Sequence, residues 1–425
     1  MIDSIIKLVR RGFATIKDPR KENKSYDLVN LLSLAFAMFS LKDSSLSSFR
    51  EQFSVRAENL DRVYGVSQLP GDTALREGLD EVDPKELQSL FRPCLDRLRD
   101  EGVLKERYVL GKYVAVSVDG TGHYCSGNKG CPQCMVRKHR NGKVSYYHQM
   151  LGAVAVHPGQ ATVFPVATEA IVKQDGVTKT DCELNAAKRI LPQIRENLQE
   201  EAMLGLFDAL YCTGPHIKAL KAAKMSYIIG TKGATYVDVQ VKALRQKGAL
   251  QRVSWKKKGK SYTAYFINDL ILNGSHQDIS TNYFEVVETD LKTGEQTFYS
   301  SWITDIPINV DNIQELVKVA RTRWKIENET FNTLKNQGYH FEHNYGHGKK
   351  YLATNFAILT FLAFLTDQIA QQLDQDFKAA KDLCKTFKLL WQRIRSVFYL
   401  IPTMSMNAIY RFIIKRRQID MPALE

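Results

Sequence analysis

The sequence predicts a mixed α/β protein in which a β-sheet core, interrupted by a β-rich segment, is flanked by helical regions. Three changes of pattern along the chain support this prediction. Apolar residues recur at helical spacing through about the first hundred residues. From Tyr108 onward, short apolar or alternating runs predict strands. After Pro307 helical spacing returns and continues toward the C-terminal end.

These changes divide the chain into five segments. The first is helical and predicted to bind DNA, the second begins the core sheet and carries a Cys/His-rich insertion at 123–143, and the third is rich in strands. The fourth holds a helix with charged residues and the end of the core, and the fifth is basic and helical. Their predicted boundaries are 1–106, 107–226, 227–306, 307–372 and 373–425.

The charge balance predicts an acidic polymer as partner. The chain of 425 residues has 59 Lys and Arg against 46 Asp and Glu, a net charge of +13. Such an excess favours nucleic acid binding, with a merely solubilising surface as the alternative. Its 44% apolar content excludes a disordered chain, and an odd number of cysteines, seven, argues against a disulfide scaffold.

Neither of the two segments that could indicate export or membrane insertion has the necessary pattern. The first 24 residues lack the long apolar core of a secretory signal. The most apolar run, Phe356 to Leu365, is too short to span a bilayer and predicts a buried helix. We therefore expect a cytoplasmic protein with no membrane partner.

Two aspartates stand at the ends of predicted core strands. Asp119 follows the apolar run VAVSV, and Asp208 lies in LFDALY near the end of another apolar run. Neighbouring parallel strands present their carboxyl ends at one edge of the sheet, so the two side chains can converge. With a glutamate from a nearby helix they would form an oxygen site for Mg²⁺ or Mn²⁺. A turn-forming role for the Asp-Gly of VDGT is the alternative.

The segment after Pro307 offers such a glutamate between two cations. Arg323 and Glu327 are four residues apart and share a helix face, and Lys335 lies two turns further on. On an isolated helix this pattern would indicate surface ion pairs.

Together VDGT, LFDALY, RWKIE and FNTLK resemble the insertion sequence four family, bacterial transposases with an Asp-Asp-Glu active site and a Tyr-Arg-Glu-Lys signature. The resemblance runs from about Leu28 to Ala370. It implies a ribonuclease H-like core with a β-rich insertion. It also implies that Asp119, Asp208 and Glu327 bind two Mg²⁺ (or Mn²⁺) ions, while Arg323 and Lys335 bind DNA phosphate.

Two positions depart from the signature. The tyrosine expected three residues before Arg323 is Ala320, and Glu327 and Lys335 are eight apart instead of the usual seven. The second departure makes Glu329 an alternative ligand, although Arg-Trp-Lys-Ile favours Glu327.

The implied activity is metal-dependent cleavage at transposon ends followed by strand transfer into target DNA. The implied partners are double-stranded DNA, with its terminal inverted repeats and target, and a second copy of the chain. The implied location is the nucleoid of a bacterial cytoplasm. Two alternatives remain: a structure-specific endonuclease on the same fold, and a DNA-binding protein without catalysis.

A second group of candidate ligands follows VDGTG. Cys131 and Cys134 have zinc-knuckle spacing, with Cys125 six residues before them and His139 five after. These four predict a structural Zn²⁺ site, with His123 as an alternative fourth ligand and an open loop with reduced thiols as the alternative structure. Further on, His343 and His347 lie in a glycine-containing segment predicted to be a loop, where they could contact DNA phosphate.

Overall fold

The computed structural model describes residues 1–21, 24–176, 178–231 and 235–415. Within these ranges the chain forms one mixed β-sheet with helices packed at both of its sequence ends. The strands are β1 (Tyr113–Ser126), β2 (Met135–Lys138), β3 (Val144–His157), β4 (Gln160–Ile171), β5 (Ala202–Phe207), β6 (Met225–Gly230), β7 (Gln251–Lys257), β8 (Lys260–Asn273), β9 (His276–Asp290) and β10 (Gln296–Thr304).

The α-helices fall into three groups along the chain. Those before the sheet are α1 (Ile2–Phe13), α2 (Leu28–Ser40), α3 (Leu46–Glu51), α4 (Phe53–Tyr64), α5 (Asp72–Asp80), α6 (Pro84–Gln88) and α7 (Phe91–Asp100). Those among the strands are α8 (Lys179–Asn197), α9 (Gly214–Ala222) and α10 (Thr235–Gln246). Those after the sheet are α11 (Ile313–Arg321), α12 (Asn332–Asn336), α13 (Leu352–Leu373), α14 (Gln375–Cys384), α15 (Phe387–Leu400) and α16 (Met406–Lys415).

The strand order explains how the β-rich segment relates to the core. The order is β2-β3-β1-β5-β6-β10-β9-β8-β7, with β4 paired to β3. Strands β1, β5 and β6 are parallel to one another, whereas β10 joins β6 antiparallel through Ile303 opposite Ile229. The β-rich segment therefore extends the core sheet, and the boundary predicted between 226 and 227 falls inside β6. The division into five segments stays a prediction.

The central strands are buried on both faces. Val114 to Val118 of β1 and Met203 to Phe207 of β5 are all buried. Continuous apolar burial is expected where helices cover both sides of parallel strands. Such strands tolerate no change of register, and they provide the fixed frame for residues at their ends.

Helix α13 forms the core of the helical layer. It packs against β4 and against α2, α5 and α6. By length and composition its 22 residues could cross a membrane, but the whole apolar stretch is buried inside the protein. A helix in the core of a soluble protein can have the same length and apolar composition. The prediction of a buried helix at Phe356–Leu365 is confirmed, and the helix itself is longer than that apolar run.

A buried ion pair joins the helical regions from the two ends of the chain. Lys42, just after α2, places Nζ 2.6 Å from Asp367 Oδ2 on α13 and 3.8 Å above the ring of Trp391 on α15. The hydroxyl of Tyr339 donates to the same Asp367 oxygen at 2.6 Å. Burial lowers the pKa of Lys42 and raises that of Asp367, which disfavours both charged forms. The attraction between the two groups opposes both shifts, so each charge depends on the other.

Replacing Lys42 tests this ion pair. We expect Lys42→Met to lower the free energy of unfolding by about 3–5 kcal/mol, since Asp367 would keep a buried charge without its partner. The double variant Lys42→Met/Asp367→Leu should recover much of the loss. Urea denaturation followed by circular dichroism measures both. Lys218→Ala, in the exposed pair with Asp278, is the control, and an equal effect in that variant would contradict the prediction.

Candidate active site and a Cys/His cluster

The pairing of β1 with β5 brings Asp119 and Asp208 to the same level. Ser117 lies opposite Leu206 in the parallel register, so counting two residues further along each chain reaches the two aspartates. One oxygen of each carboxylate is held by a backbone amide. Gly120 N donates to Asp119 Oδ1 at 2.8 Å, and Leu210 N donates to Asp208 Oδ1 at 2.9 Å. Asp208 follows the last residue of β5, as predicted. Asp119 lies within β1 and not at its end or in a turn, because pairing with β3 continues the strand through Gly120 and Thr121 to Ser126.

Arg323 connects Asp119 to Glu327. Its Nη1 lies 3.0 Å from Asp119 Oδ2, and its Nη2 lies 2.6 Å from Glu327 Oε1. The backbone of Arg323 is anchored as well, because Ser117 Oγ donates to its carbonyl oxygen at 3.1 Å. One guanidinium therefore places the helical glutamate beside the middle of β1.

The helix that carries Glu327 is irregular. After α11 come a 3₁₀ turn at Thr322–Trp324 and a π-helical turn at Ile326–Phe331, before α12. A π-helical turn contains one residue more than an α-helical turn. The eight positions from Glu327 to Lys335 therefore correspond to about seven in a regular helix, which leaves the two residues only about 20° apart around the axis. The π-helical turn therefore accommodates the extra residue and keeps Lys335 on nearly the same helix face as Glu327.

Lys335 lies toward the far part of β1. Its Nζ pairs with Glu342 Oε1 at 2.8 Å. Burial and then the charge of His148 lower the pKa of His123 to about 3, and the positive charge of Lys335 adds to the effect. Lys335 is therefore near enough to His123 of β1 to act on it electrostatically.

The carboxylates interact electrostatically. The pKa of Asp119 is raised to about 6, mainly by burial; Arg323 and the amide of Gly120 oppose the rise, and the negative charges of Glu327 and Asp208 add to it. Glu329 acts elsewhere, since its charge raises the pKa of Lys325, whose overall value is lowered by burial. The charge distribution therefore groups Glu327, and not Glu329, with the two aspartates.

A fourth carboxylate, which sequence reasoning missed, lies beside this group. Glu183 of α8 accepts a hydrogen bond from Tyr211 Oη at 3.1 Å, and its carboxylate is 3.4 Å from where a side chain on Gly120 would begin. Burial raises the pKa of Glu183, and Asp208 adds to the effect. Its sequence context, an ordinary amphipathic helix, contains no signal of this position.

Hard oxygen donors of this kind fit Mg²⁺ or Mn²⁺. Among the described residues, however, Asp119, Asp208 and Glu327 do not converge as a set to within 4.8 Å. The guanidinium of Arg323 lies between Asp119 and Glu327 and balances their charge. Cations could occupy this site only if that guanidinium moved aside.

A second cluster joins residues that are distant in sequence. The ligand atoms of Cys131, Cys134, His148 and His347 all lie within 4.8 Å of one another. Cys131 precedes β2, His148 is on β3, and His347 lies in the segment before α13. This segment is a loop, as its glycines predict.

The structure does not bring Cys125 and His139 to this cluster. Cys125 is exposed and lies opposite Tyr147, whereas its neighbour Tyr124 lies opposite His148. Because successive residues of a strand point to opposite faces, Cys125 points away from His148. His139 lies beyond β2, where its Nε2 is 2.9 Å from Ser145 Oγ. His123, the alternative fourth ligand, stacks against the His148 ring at 5.8 Å without joining the four.

Comparison with known families was informative for the central part of the chain. A family model described as "Transposase DDE domain" matches residues 110–365, more than half of the chain. No curated protein matches. The matched span begins just before β1 and ends within α13.

The raised pKa of Asp119 predicts a pH-dependent cost in stability. Because its folded pKa of about 6 exceeds the ordinary value of 3.8, stability is greatest below the lower value and is lost as pH rises through the higher one. We expect Asp119→Asn to be more stable than the wild type at pH 8 by up to about 3 kcal/mol. The difference should vanish near pH 4.

Urea denaturation in the presence of a chelator measures this difference. Glu342→Gln, at an exposed position, provides a matched carboxylate-to-amide control. The predicted sign would be contradicted if the unfolding free energy of Asp119→Asn, relative to that of the wild type, were lower at pH 8 than at pH 4.

Proposed function

The chain belongs to the family of proteins with a transposase DDE domain, and on that premise we propose that Asp119, Asp208 and Glu327 are the metal-binding carboxylates of its active site. A transposase of this type acts on DNA. The observation that carries the proposal is the Arg323 bridge, which brings Glu327 to Asp119 of β1 beside the carboxyl end of β5. The bridge joins Asp119 to Glu327, and the pairing of β1 with β5 adds Asp208 to the same charged site.

The proposed reaction is cleavage of a phosphodiester at the transposon end, followed by attack of the freed 3′-hydroxyl on target DNA. Two bound Mg²⁺ or Mn²⁺ ions would supply activation of the attacking oxygen and stabilisation of the leaving oxygen. The carboxylates must be deprotonated to hold them. Asp119 therefore has to lose the proton that its raised pKa favours.

Arg323 and Lys335 are proposed to bind the DNA backbone. In the described structure Arg323 neutralises Asp119 and Glu327, a task that cations would take over. Its guanidinium would then be available for a phosphate, which it can bind through two parallel hydrogen bonds. Lys335 lies on nearly the same helix face as Glu327 and would place a second positive charge beside the bound DNA strand.

We further propose a ribonuclease H-like core and membership in the insertion sequence four family. Support for the core comes from the strand order, in which the antiparallel set β4-β3-β1 is followed by β5 and β6 parallel to β1. Support for the family comes from Arg323, Glu327 and Lys335 on one irregular helix. Terminal inverted repeats, a homodimer on DNA and a nucleoid location in a bacterial cytoplasm complete the proposal.

Cleavage assays on DNA flanking this gene test the carboxylates. We expect Asp119→Asn, Asp208→Asn and Glu327→Gln each to lower Mg²⁺-dependent cleavage by roughly 100-fold or more, since each removes a charged metal ligand. Glu329→Gln is the matched control and should retain activity. Full activity in any one of the three variants would remove that residue from the site.

The products of the same reaction distinguish the alternatives. A linear donor with terminal inverted repeats should give strand-transfer products with a transposase. Cleavage without joining would favour a structure-specific endonuclease, which would use the same carboxylates. DNA binding with no Mg²⁺- or Mn²⁺-dependent cleavage would favour a protein without catalysis.

Salt dependence tests the phosphate contacts. We expect Lys335→Gln to weaken binding of terminal-repeat DNA and to reduce the slope of log K against log salt by about 1, as loss of one phosphate contact should. Fluorescence anisotropy between low and moderate salt measures the slope. Arg411→Gln, far away on α16 and paired with Asp376, is the control. An unchanged slope in Lys335→Gln would exclude this residue from the DNA path.

A further inference from the structure

We propose that Cys131, Cys134, His148 and His347 bind one structural zinc ion, which joins the β2–β3 hairpin to the segment before α13. This inference goes beyond the proposed catalytic function and involves none of its carboxylates. It also differs from the ligand set that sequence spacing suggests, because two of the four ligands are histidines from distant parts of the fold.

The distances within the cluster are those of a zinc tetrahedron. Zinc binds sulfur at about 2.3 Å and imidazole nitrogen at about 2.0–2.1 Å, so tetrahedral ligands are separated by about 3.8 Å (S to S), 3.6 Å (S to N) and 3.3 Å (N to N). The two Sγ atoms lie 3.8 Å apart, and the two Nε2 atoms lie 3.1 Å apart. Three of the four Sγ to Nε2 separations are 3.5, 3.3 and 3.3 Å, and the fourth, between Cys131 and His347, is within 4.8 Å. Each measured distance agrees with the ideal one to within about 0.3 Å.

Hydrogen bonds alone do not account for this packing. Five close contacts connect the four ligand atoms. Each atom carries at most one proton, and a proton directed at one neighbour leaves the other contacts without one. An imidazole nitrogen that donates also loses its capacity to accept. A cation at the centre would instead accept one lone pair from every ligand.

The protein around the cluster is shaped to hold the ligands. Cys134 N donates to Cys131 O at 3.1 Å and Cys131 N donates to Cys134 Sγ at 3.4 Å, which closes the Cys-Pro-Gln-Cys turn. The ring of Tyr124 stacks on His347 with centroids 4.5 Å apart. Before the turn, a side chain on Gly130 would begin 2.6 Å from the Tyr146 ring, so the chain can pass there only as glycine.

The ligand types and number indicate the kind of metal and its role. Two thiolates and two imidazoles favour zinc over Mg²⁺ or Mn²⁺. Four protein ligands complete the tetrahedron and leave no open position for water or substrate, which is typical of structural sites. His148 lies opposite Tyr124, five residues along β1 from Asp119, or on the order of 16 Å away. The zinc is therefore separate from the proposed catalytic ions.

Zinc would fix the segment before α13 at His347, and Asp80 already fixes the same segment where α13 begins. Asp80 of α5 accepts hydrogen bonds from the backbone amides of Lys349 to Leu352, where α13 begins. Zinc on His347 would hold the preceding residues to the β2–β3 hairpin. Two parts of the chain that are far apart in sequence, the hairpin region and the segment before α13, would then meet at one cross-link. Without the metal the hairpin would depend on the β2–β3 pairing and a few side-chain contacts.

Metal analysis of the full-length protein tests the proposal. We expect about one zinc per chain after purification. The apoprotein should take up Co²⁺ with the visible spectrum of a tetrahedral site containing thiolate. Cys131→Ser and His347→Ala should lose zinc to a chelator at least about tenfold faster. Cys125→Ser and His343→Ala, which alter neighbouring residues outside the cluster, are the matched controls and should retain zinc like the wild type.

Limited trypsin digestion gives a second measurement on the unmodified protein. Removal of zinc should loosen the chain around the cluster and speed cleavage there, and re-addition of zinc should restore resistance. The basic residues in and just before the hairpin are exposed already, so cleavage at them depends on the rigidity of the chain: Lys129, Arg137, Lys138, Arg140 and Lys143. This measurement remains informative if a ligand variant fails to fold.

Three results would overturn the proposal. The first is a folded wild-type protein that contains no zinc and binds neither Zn²⁺ nor Co²⁺. The second is loss of zinc in His139→Ala together with full retention in His347→Ala. The third is a Cys131–Cys134 disulfide, detected by mass, in protein purified under reducing conditions. Because these measurements do not involve DNA, failure of the cleavage assays would leave the zinc proposal standing, and the reverse also holds.

Discussion

The parallel pairing of β1 with β5 is the constraint on which the site depends. With Ser117 opposite Leu206, Asp119 and Asp208 emerge at one level, and Ser117 Oγ also anchors the backbone of Arg323. A shift of register by one residue would exchange the two faces of a strand. In strands buried on both sides, such a shift would place polar groups in the core. The apolar packing of the sheet therefore determines the positions of the charged residues at its edge.

The edge of this sheet concentrates negative charge, and the structure balances it with one guanidinium. Burial raises the pKa of Asp119 and of the additional Glu183, and the charges of Asp208 and Glu327 act on this pair from nearby. Arg323 offsets part of that cost while it bridges two of the four carboxylates. An arrangement that costs stability without cations is expected at a functional site. The same electrostatics that favour a proton on Asp119 would favour a divalent cation between the carboxylates.

Outside the sheet, three polar clusters hold together parts of the chain that are distant in sequence. The Lys42–Asp367 pair connects helices from both ends of the protein. The Asp80 carboxylate holds the start of α13, and the Cys/His cluster connects the preceding segment to the hairpin. Each cluster acts on α13 or on the residues that lead into it. The segment after the Arg323–Glu327 helix is thus held by polar contacts in addition to its buried aromatic residues Tyr339, Phe341 and Tyr345.

Local patterns in the sequence determined much of this protein: the mixed α/β class, the strand that ends at Asp208, and the spacing of Arg323 and Glu327. The predicted strand end at Asp119 was wrong, because pairing with β3 continues β1 to Ser126. The Cys131–Cys134 pair was also local, because a two-residue spacing needs no long-range contact. Only the tertiary structure decided that His148 and His347 complete the cluster while Cys125 points away, that Glu183 joins the carboxylates, and that the β-rich segment extends the core sheet. The physical reason is that strand pairing and loop packing bring together residues up to about two hundred positions apart, and no periodicity along the chain records those contacts.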